Sequence, residues 1–352
     1  MKESELLEKF RSQFRTLLEK TGLLSINSYI EEANRNNRKI DLLIKLHSQS
    51  NQLFTVLVEA KTSAYPQNVR MAVEQLKSSL SESNQEYGLL AAPYLSEESR
   101  QLCRNAGINY LDLAGNCWLA VDNVFIEVDG KPNPYPEKRP LRSVFSPKST
   151  RLLRVLLNES KKSWYVKDLA KEANLSLGQV SKLKNRLLDY DYLEETSDRK
   201  LRFRRAESLL RKWSDKYSYT ENQVSTFYTM LDFKDIEEDI RLAAEANRME
   251  YAFTMNSGAI RVAPFVRDNV VFAYINRDIS ELSKDLDLKE VESGANVMLM
   301  NPYDEGVFYY KQQIDNAWVV SDVQLFLDLN RYKKRGEEAA EFIMKERLQP
   351  RW

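Results

Sequence analysis

Residues 41–61 read DLLIKLHSQSNQLFTVLVEAK and constrain the fold more than any other stretch of the chain. Two apolar runs flank a polar turn, the pattern of a hairpin with at least one buried strand. The second run, VLVEAK, ends in a carboxylate and an amine two residues apart. Side chains on a strand alternate with period two, so Glu59 and Lys61 leave one face and Ala60 the other. A hairpin partner beginning at Asp41 brings a second carboxylate beside them. One reading is a surface hairpin with a solvated Glu59–Lys61 pair. The other is a functional site, because a buried strand does not carry charges without use.

Phosphodiester hydrolysis needs such a trio. Carboxylates hold a hard divalent cation that polarises water and phosphate, and a nearby lysine orients or deprotonates the water and offsets developing charge. Asp41 and Glu59 are the expected metal ligands and Lys61 the expected catalytic amine. These residues resemble the PD-(D/E)xK restriction-endonuclease-like family over about residues 5–130. The likeness includes the helical opening ESELLEKFRSQFRTLLEKTG, a strand near residues 28–32, a turn at Asn36-Asn37 and a helix carrying Gln75 in AVEQLKSSL. Several branches of that family place a Gln beside the site. Ile40 stands where the family carries a Pro before the Asp. The resemblance implies Mg²⁺ or Mn²⁺ as cofactor if the site is active.

Composition narrows the remaining classes. The chain has 352 residues, 43% hydrophobic and 30% charged, enough for two or three domains each with its own core. No run of eighteen apolar residues and no signal peptide is visible, so no membrane span and a cytoplasmic location are expected. Cys103, Cys117 and the single histidine, His47, exclude a His- or Cys-rich zinc site and a disulfide framework. Buried free thiols and a surface His47 are expected.

The net charge of zero is unevenly spread. Residues 148–216 carry 18 Lys and Arg against ten Asp and Glu. This excess of +8 is the electrostatic footprint of a nucleic-acid-binding segment. The stretch GKPNPYPEKRPLRSVFSPKST before it holds five of the ten prolines and marks a linker over residues 131–147. Beyond it Ser149 or Thr150 caps a helix with Leu152, Leu153, Leu156 and Leu157 at helical spacing. A short helix, a turn at residues 174–176, a third helix and a two-stranded wing follow.

Residues 148–216 thus resemble a winged helix-turn-helix of the MarR-like or ArsR-like kind. In its third helix Val180, Leu183 and Leu187 form the buried stripe. Ser176, Gln179, Ser181, Lys182, Asn185 and Arg186 are left to reach bases or phosphates. The wing supplies Arg199, Lys200, Arg202 and Arg204. A protein-binding use of the same module is the competing reading.

The last third reads as a small α+β domain, with strands at 270–275, 296–300 and 306–310 and a closing helix from Arg335. Asp304 and Glu305, in the turn-forming NPYDEG, read as solvated. The phrases AFTMNSGAIRVAPFV, VESGANVMLMNPYDEGVFYY and VVSDVQLFLDLNRYKKRGEEAAEFI resemble the AbiEi-like antitoxins of type IV toxin-antitoxin systems. That resemblance implies a transcriptional regulator that binds an inverted repeat in its own promoter. It also implies opposition to a nucleotidyltransferase toxin without a stable complex. The simplest members open with the winged helix, whereas here a nuclease-like domain precedes it. The expected fold is therefore α/β plus α+β in three domains: nuclease-like (1–130), winged helix (148–216) and AbiEi-like C-terminal (217–352).

Three functions remain open at this stage. They are a DNA-binding regulator acting as a homodimer on double-stranded DNA, a Mg²⁺-dependent endonuclease used in phage defence, and a protein-binding scaffold.

Overall fold

A computed structural model describes all residues except 36–37, 82–84, 136–140, 264–268 and 333–335. The expected turn at Asn36-Asn37, part of the linker and the start of the closing helix at Arg335 lie outside the described residues. The chain divides into two compact units, Met1–Arg139 with Asp189–Asp191, and Pro140–Leu188 with Tyr192–Trp352.

The first unit opens with α1 (Glu3–Thr21), whose Leu6, Phe10, Phe14 and Leu18 recur at helical spacing and are buried. Gly22, in the left-handed region at φ 64°, ends it and returns its N–H to the Leu18 carbonyl. Strands β1 (Leu24–Arg35), β2 (Arg38–Ser48) and β3 (Leu53–Ala60) follow as an antiparallel meander. Helix α2 (Pro66–Ser79), with Pro at its first turn, leads to β4 (Glu86–Ala92), and α3 (Glu97–Asn105) leads to β5 (Asn109–Asp112). Both β4 and β5 run parallel to β3. An antiparallel hairpin of β6 (Cys117–Val121) and β7 (Val124–Val128) completes a seven-stranded sheet in sequential order.

The sheet buries both faces. On one, the α1 side chains pack on Leu42, Ile44, Leu46, Val56 and Val58. On the other, Val69, Ala72, Val73 and Leu76 of α2 and Cys103 of α3 pack on Leu57, Leu90 and Tyr110. Period-two alternation along β3 therefore sends Val56, Val58 and Ala60 to the α1 side and Leu57 to the α2 side. Cys103 and Cys117 are free and buried, as expected, and burial pushes each thiol up to about 12.

The second unit begins with α4 (Thr150–Asn158), α5 (Val166–Glu172) and α6 (Leu177–Asp189), then a hairpin of β8 (Leu193–Glu195) and β9 (Leu201–Phe203). Trp164 bridges to Leu201 on the outer side of that hairpin. After α7 (Ala206–Ser214) come β10 (Gln223–Tyr228), α8 (Phe233–Ala246), β11 (Tyr251–Phe253), α9 (Met255–Ala259) and β12 (Val271–Ile275). The chain continues through α10 (Ile279–Asp285), β13 (Lys289–Glu290), β14 (Val297–Asn301), β15 (Gln312–Ile314) and β16 (Ala317–Val319). Helices α11 (Asp322–Asn330) and α12 (Gly336–Ile343) close it. The sheet order is β13-β10-β14-β12-β11-β16-β15.

Strands β12 and β14 fall where the sequence places them, but the strand expected at 306–310 does not form. Residues Glu305–Phe308 make a 3₁₀ turn. Asp304 causes this, because its carboxylate caps Gly306 N–H and both its oxygens accept the Nε–H of Arg151 at 2.9 Å. It is buried, not solvated.

A buried polar network joins α4 to α11. Arg154, fully buried, donates to Gln324 Oε1 at 2.6 and 3.1 Å and to Thr150 Oγ1 at 2.7 Å, with its guanidinium over the Trp213 ring. Gln324 passes the chain on to Asp328 Oδ1 at 2.9 Å. Tyr217, Tyr274 and Thr254 also donate to Asp328. No helix among the described residues is long and apolar enough to cross a membrane.

Burial lifts the Asp328 carboxyl above its ordinary range, against the bonds from Thr254, Tyr217, Tyr274 and Gln324 that lower it. A carboxyl raised on folding favours the fold fully below its unfolded value of about 3.9, and loses that contribution as pH climbs through the folded value. Relative to Asp328→Asn, the wild type should lose stability steadily as pH rises above about 4. Urea midpoints of the two proteins across pH test this, and a gap independent of pH would refute it.

Candidate active site and nucleic-acid interface

The β2–β3 ladder ends at Leu42↔Val58, one pair short of Asp41 and Glu59. There the Asp41 side chain replaces the backbone, and its Oδ2 accepts Ala60 N–H at 2.8 Å. The next amide, Lys61 N–H, goes the other way to Ala91 of β4 at 2.9 Å. Extending the register by one puts Asp41 across from Glu59, on the α2 side of the sheet with Leu57.

Glu59 is only 3% exposed. Its two oxygens are each taken, Oε1 by Lys61 Nζ at 2.6 Å and Oε2 by Gln75 Nε2 at 2.9 Å. The solvated-pair reading fails for this reason. Burial raises the Glu59 carboxyl above its ordinary range, Lys61 pulls it back, and the negative charges of Asp41 and Glu3 raise it further. Lys61 keeps 30% of its side chain exposed and opens into a cleft of about 280 Å³. Glu3, Ala60, Asn68 and Gln75 share its walls. A neighbouring groove of about 510 Å³ runs along Lys39, Met71, Glu74, Gln75 and Ser78.

All four residues expected from the sequence, Asp41, Glu59, Lys61 and Gln75, thus meet at one place. Sequence reasoning missed Glu3 and Asn68. Glu3 lies one turn ahead of the buried Leu6 on α1, and only folding brings that turn to β3. Asn68 is spent locally, donating to the Ser63 carbonyl at 3.0 Å.

The donor set suits a hard cation. Two carboxylates on adjacent strands offer oxygen only, and the Ala60 carbonyl points to the same side as its N–H. Among the described residues no cluster of three or more His, Cys, Asp or Glu could hold a metal. Water would have to complete the coordination of any ion held here.

In the second unit α6 buries Val180, Leu183 and Leu187 and exposes Ser181, Lys182 and Asn185, with Arg186 half-buried. Ser176 and Gln179 are used differently. Ser176 Oγ accepts Gln179 N–H, and Gln179 Oε1 accepts Ser176 N–H at 3.1 Å, a reciprocal capping box that starts the helix. The hairpin tip turns through Arg199, in the left-handed region at φ 61°. Three of the cations here are paired: Lys200 with Asp198 at 2.7 Å, and Arg202 and Arg204 both with Glu194. Arg202 and then Arg204 hold the Glu194 carboxyl below its usual range.

Residues 202–349 match the model of the family described as "Transcriptional regulator, AbiEi antitoxin, Type IV TA system". The likeness to AbiEi antitoxins expected from the sequence holds over that span. No curated protein matches the chain. Among solved structures, a repair endonuclease from Pyrococcus abyssi is 16% identical over 29% of this chain and 46% of its own, with a TM-score of 0.21. EndoMS in apo form is 13% identical over 32% of this chain and 46% of its own, with a TM-score of 0.20. The chain spans under half the length of each.

A carboxyl held at 3% exposure, where burial opposes its charge, costs stability. In Glu59→Gln the Gln75 amide can turn to present its oxygen, so both partners stay satisfied. This variant should be more stable than wild type by about 0.5–2 kcal/mol at neutral pH. A thermal melt decides, and an unchanged or lower midpoint counts against a strained site.

Proposed function

We propose that the chain is a DNA-binding transcriptional regulator of the AbiEi antitoxin kind. The family match over residues 202–349 carries this reading. The α4–α6 helices and the β8–β9 hairpin act as a winged helix, with α6 in the major groove and the hairpin on flanking phosphates. Lys182, Arg186, Arg199, Lys200, Arg202 and Arg204 supply the phosphate contacts, Ser181 and Asn185 the base contacts, and Ser176 and Gln179 hold the start of the helix. A homodimer reads an inverted repeat, because a two-fold operator matches a two-fold protein. The partner toxin is a nucleotidyltransferase opposed without a stable complex.

The expected behaviour is tight binding to an inverted repeat upstream of the protein's own reading frame, weakening steeply with salt. Lys182→Ala should weaken binding to all sequences alike and lower the salt slope by about one. Asn185→Ala should cost about 1–3 kcal/mol at one base position only. Fluorescence anisotropy in EDTA measures both. Equal affinity for the repeat and for unrelated DNA would sink the proposal.

A second reading is favoured by one observation, the convergence of Asp41, Glu59, Lys61 and Gln75 beside an open cleft that Lys61 and Gln75 line. We propose that the first unit is a metal-dependent DNA endonuclease in phage defence, targeted by the second. Mg²⁺ or Mn²⁺, held by Asp41 and Glu59, would polarise the scissile phosphate and water. Lys61 would accept or steer a water proton and offset charge on the phosphate, while Gln75 and Lys61 orient Glu59. Cutting of a labelled duplex should need the metal and fall about 10²–10⁴-fold in Lys61→Met. Cleavage that survives Asp41→Ala and Lys61→Met would place the chemistry elsewhere.

A further inference from the structure

The cleft at Lys61 does not stop there. Thr62 and Ser63, which form one of its walls, also line a larger cleft of about 680 Å³ within the first unit. The second cleft differs in chemistry. Its walls include the rings of Tyr65, Tyr94, Tyr135 and Tyr190, with Ser63, Ser96, Asn133 and the Asp189 carboxylate between them, and among the described residues no Lys or Arg side chain lines it.

The tyrosines are held by the fold. Tyr65 is the N-cap residue of α2, and its ring packs at a tilt on the Tyr190 ring with centroids 5.4 Å apart. The Tyr94 hydroxyl is hydrogen-bonded to Arg100, which is itself pinned to the Leu95 carbonyl at 2.9 Å and to Glu97. The Tyr65 and Tyr94 rings are therefore placed before any ligand arrives, and little side-chain entropy remains to be lost. All four tyrosines are half-buried, with ring surface still open to the cleft.

Flat aromatic walls with hydroxyl and amide groups at their edges recognise a flat ligand with hydrogen-bonding edges. Among the described residues a phosphate finds no cationic side chain here and meets the Asp189 carboxylate, whereas a nucleobase finds stacking surfaces and edge partners, Asp189 among them. The adjoining cleft supplies the amine, Lys61, for a phosphate. We propose that the tyrosine-lined cleft binds an unstacked nucleobase of single-stranded DNA, next to the phosphate that lies at Lys61. The inference rests on reading the first unit as a nucleic-acid surface, and it does not require that the strand be cut.

The test is anisotropy of a short labelled single strand with the full chain in EDTA, so that no cleavage is read. An intact strand is compared with one carrying a run of abasic sites, against wild type, Tyr94→Ala and Tyr94→Phe. Wild type should bind the intact strand about 5- to 100-fold more tightly than the abasic one. Tyr94→Ala should bind the intact strand weakly and scarcely distinguish the two, while Tyr94→Phe, which keeps the ring but loses its bond to Arg100, falls between Tyr94→Ala and wild type and still prefers the intact strand. Equal wild-type affinity for both strands, or no single-strand binding, overturns the proposal even if Tyr94→Ala does not fold. An abasic penalty undiminished in a folded Tyr94→Ala also overturns it, because the bases are then held elsewhere. Loss of metal-dependent cutting alone bears on the endonuclease reading and leaves this one standing.

Discussion

The first unit turns on one hydrogen bond, from Ala60 N–H to the carboxylate of Asp41. A regular ladder would have continued here with a backbone carbonyl as the acceptor. By substituting a side chain, the fold ends the β2–β3 pairing and still satisfies the Ala60 amide. It also fixes Asp41 beside Glu59 without spending the rest of its carboxylate. Since side chains alternate with period two, a one-residue slip would send Glu59 and Lys61 into the α1 core and bring Ala60 to the cleft. The apolar alternation of Val56, Val58 and Ala60 on the α1 side makes that slip costly.

The same arrangement explains why the site is strained in energy but not in backbone. Glu59 sits where burial and its acidic neighbours oppose its charge, and Lys61 with Gln75 offset that opposition. A carboxylate so held is kept in one orientation, which is what a metal ligand or a proton-steering group needs. It stands at the carboxyl ends of the parallel strands β3, β4 and β5, where open α/β sheets place their ligands.

In the second unit a charge rather than an apolar contact organises the join between helices and sheet. Arg154 cannot shed its proton, so a fully buried guanidinium demands acceptors. Thr150 and Gln324 provide them, and Gln324 in turn donates to Asp328. Helix α4 therefore has one docking position on α11, and the elements that follow it in the chain inherit that position. Glu194, Glu195 and Asp198, already counted in the excess of +8, pair locally with Arg202, Arg204, Lys184 and Lys200.

Much of this was legible in the residues alone, because it depended on local periodicity. The alternation in VLVEAK announced β3 and the face shared by Glu59 and Lys61, and the spacing of Val180, Leu183 and Leu187 announced α6 and its exposed side. The AbiEi-like phrases near the end marked the span that the family model matches. Other features were not legible because they depend on groups far apart in the chain. Glu3 reaches the cleft only because α1 packs across β3, and Asp304 is buried only because Arg151 meets it from α4. The strand expected at 306–310 gave way for the same reason, a long-range ion pair and a local cap outweighing an apolar, aromatic run. Ser176 and Gln179 looked like free polar groups until the capping box showed where their hydrogen bonds go. Local sequence determined which segments were strands or helices and which faces they would bury. Tertiary structure alone decided which charges would be buried, because the desolvation of a charge depends on every element that closes over it.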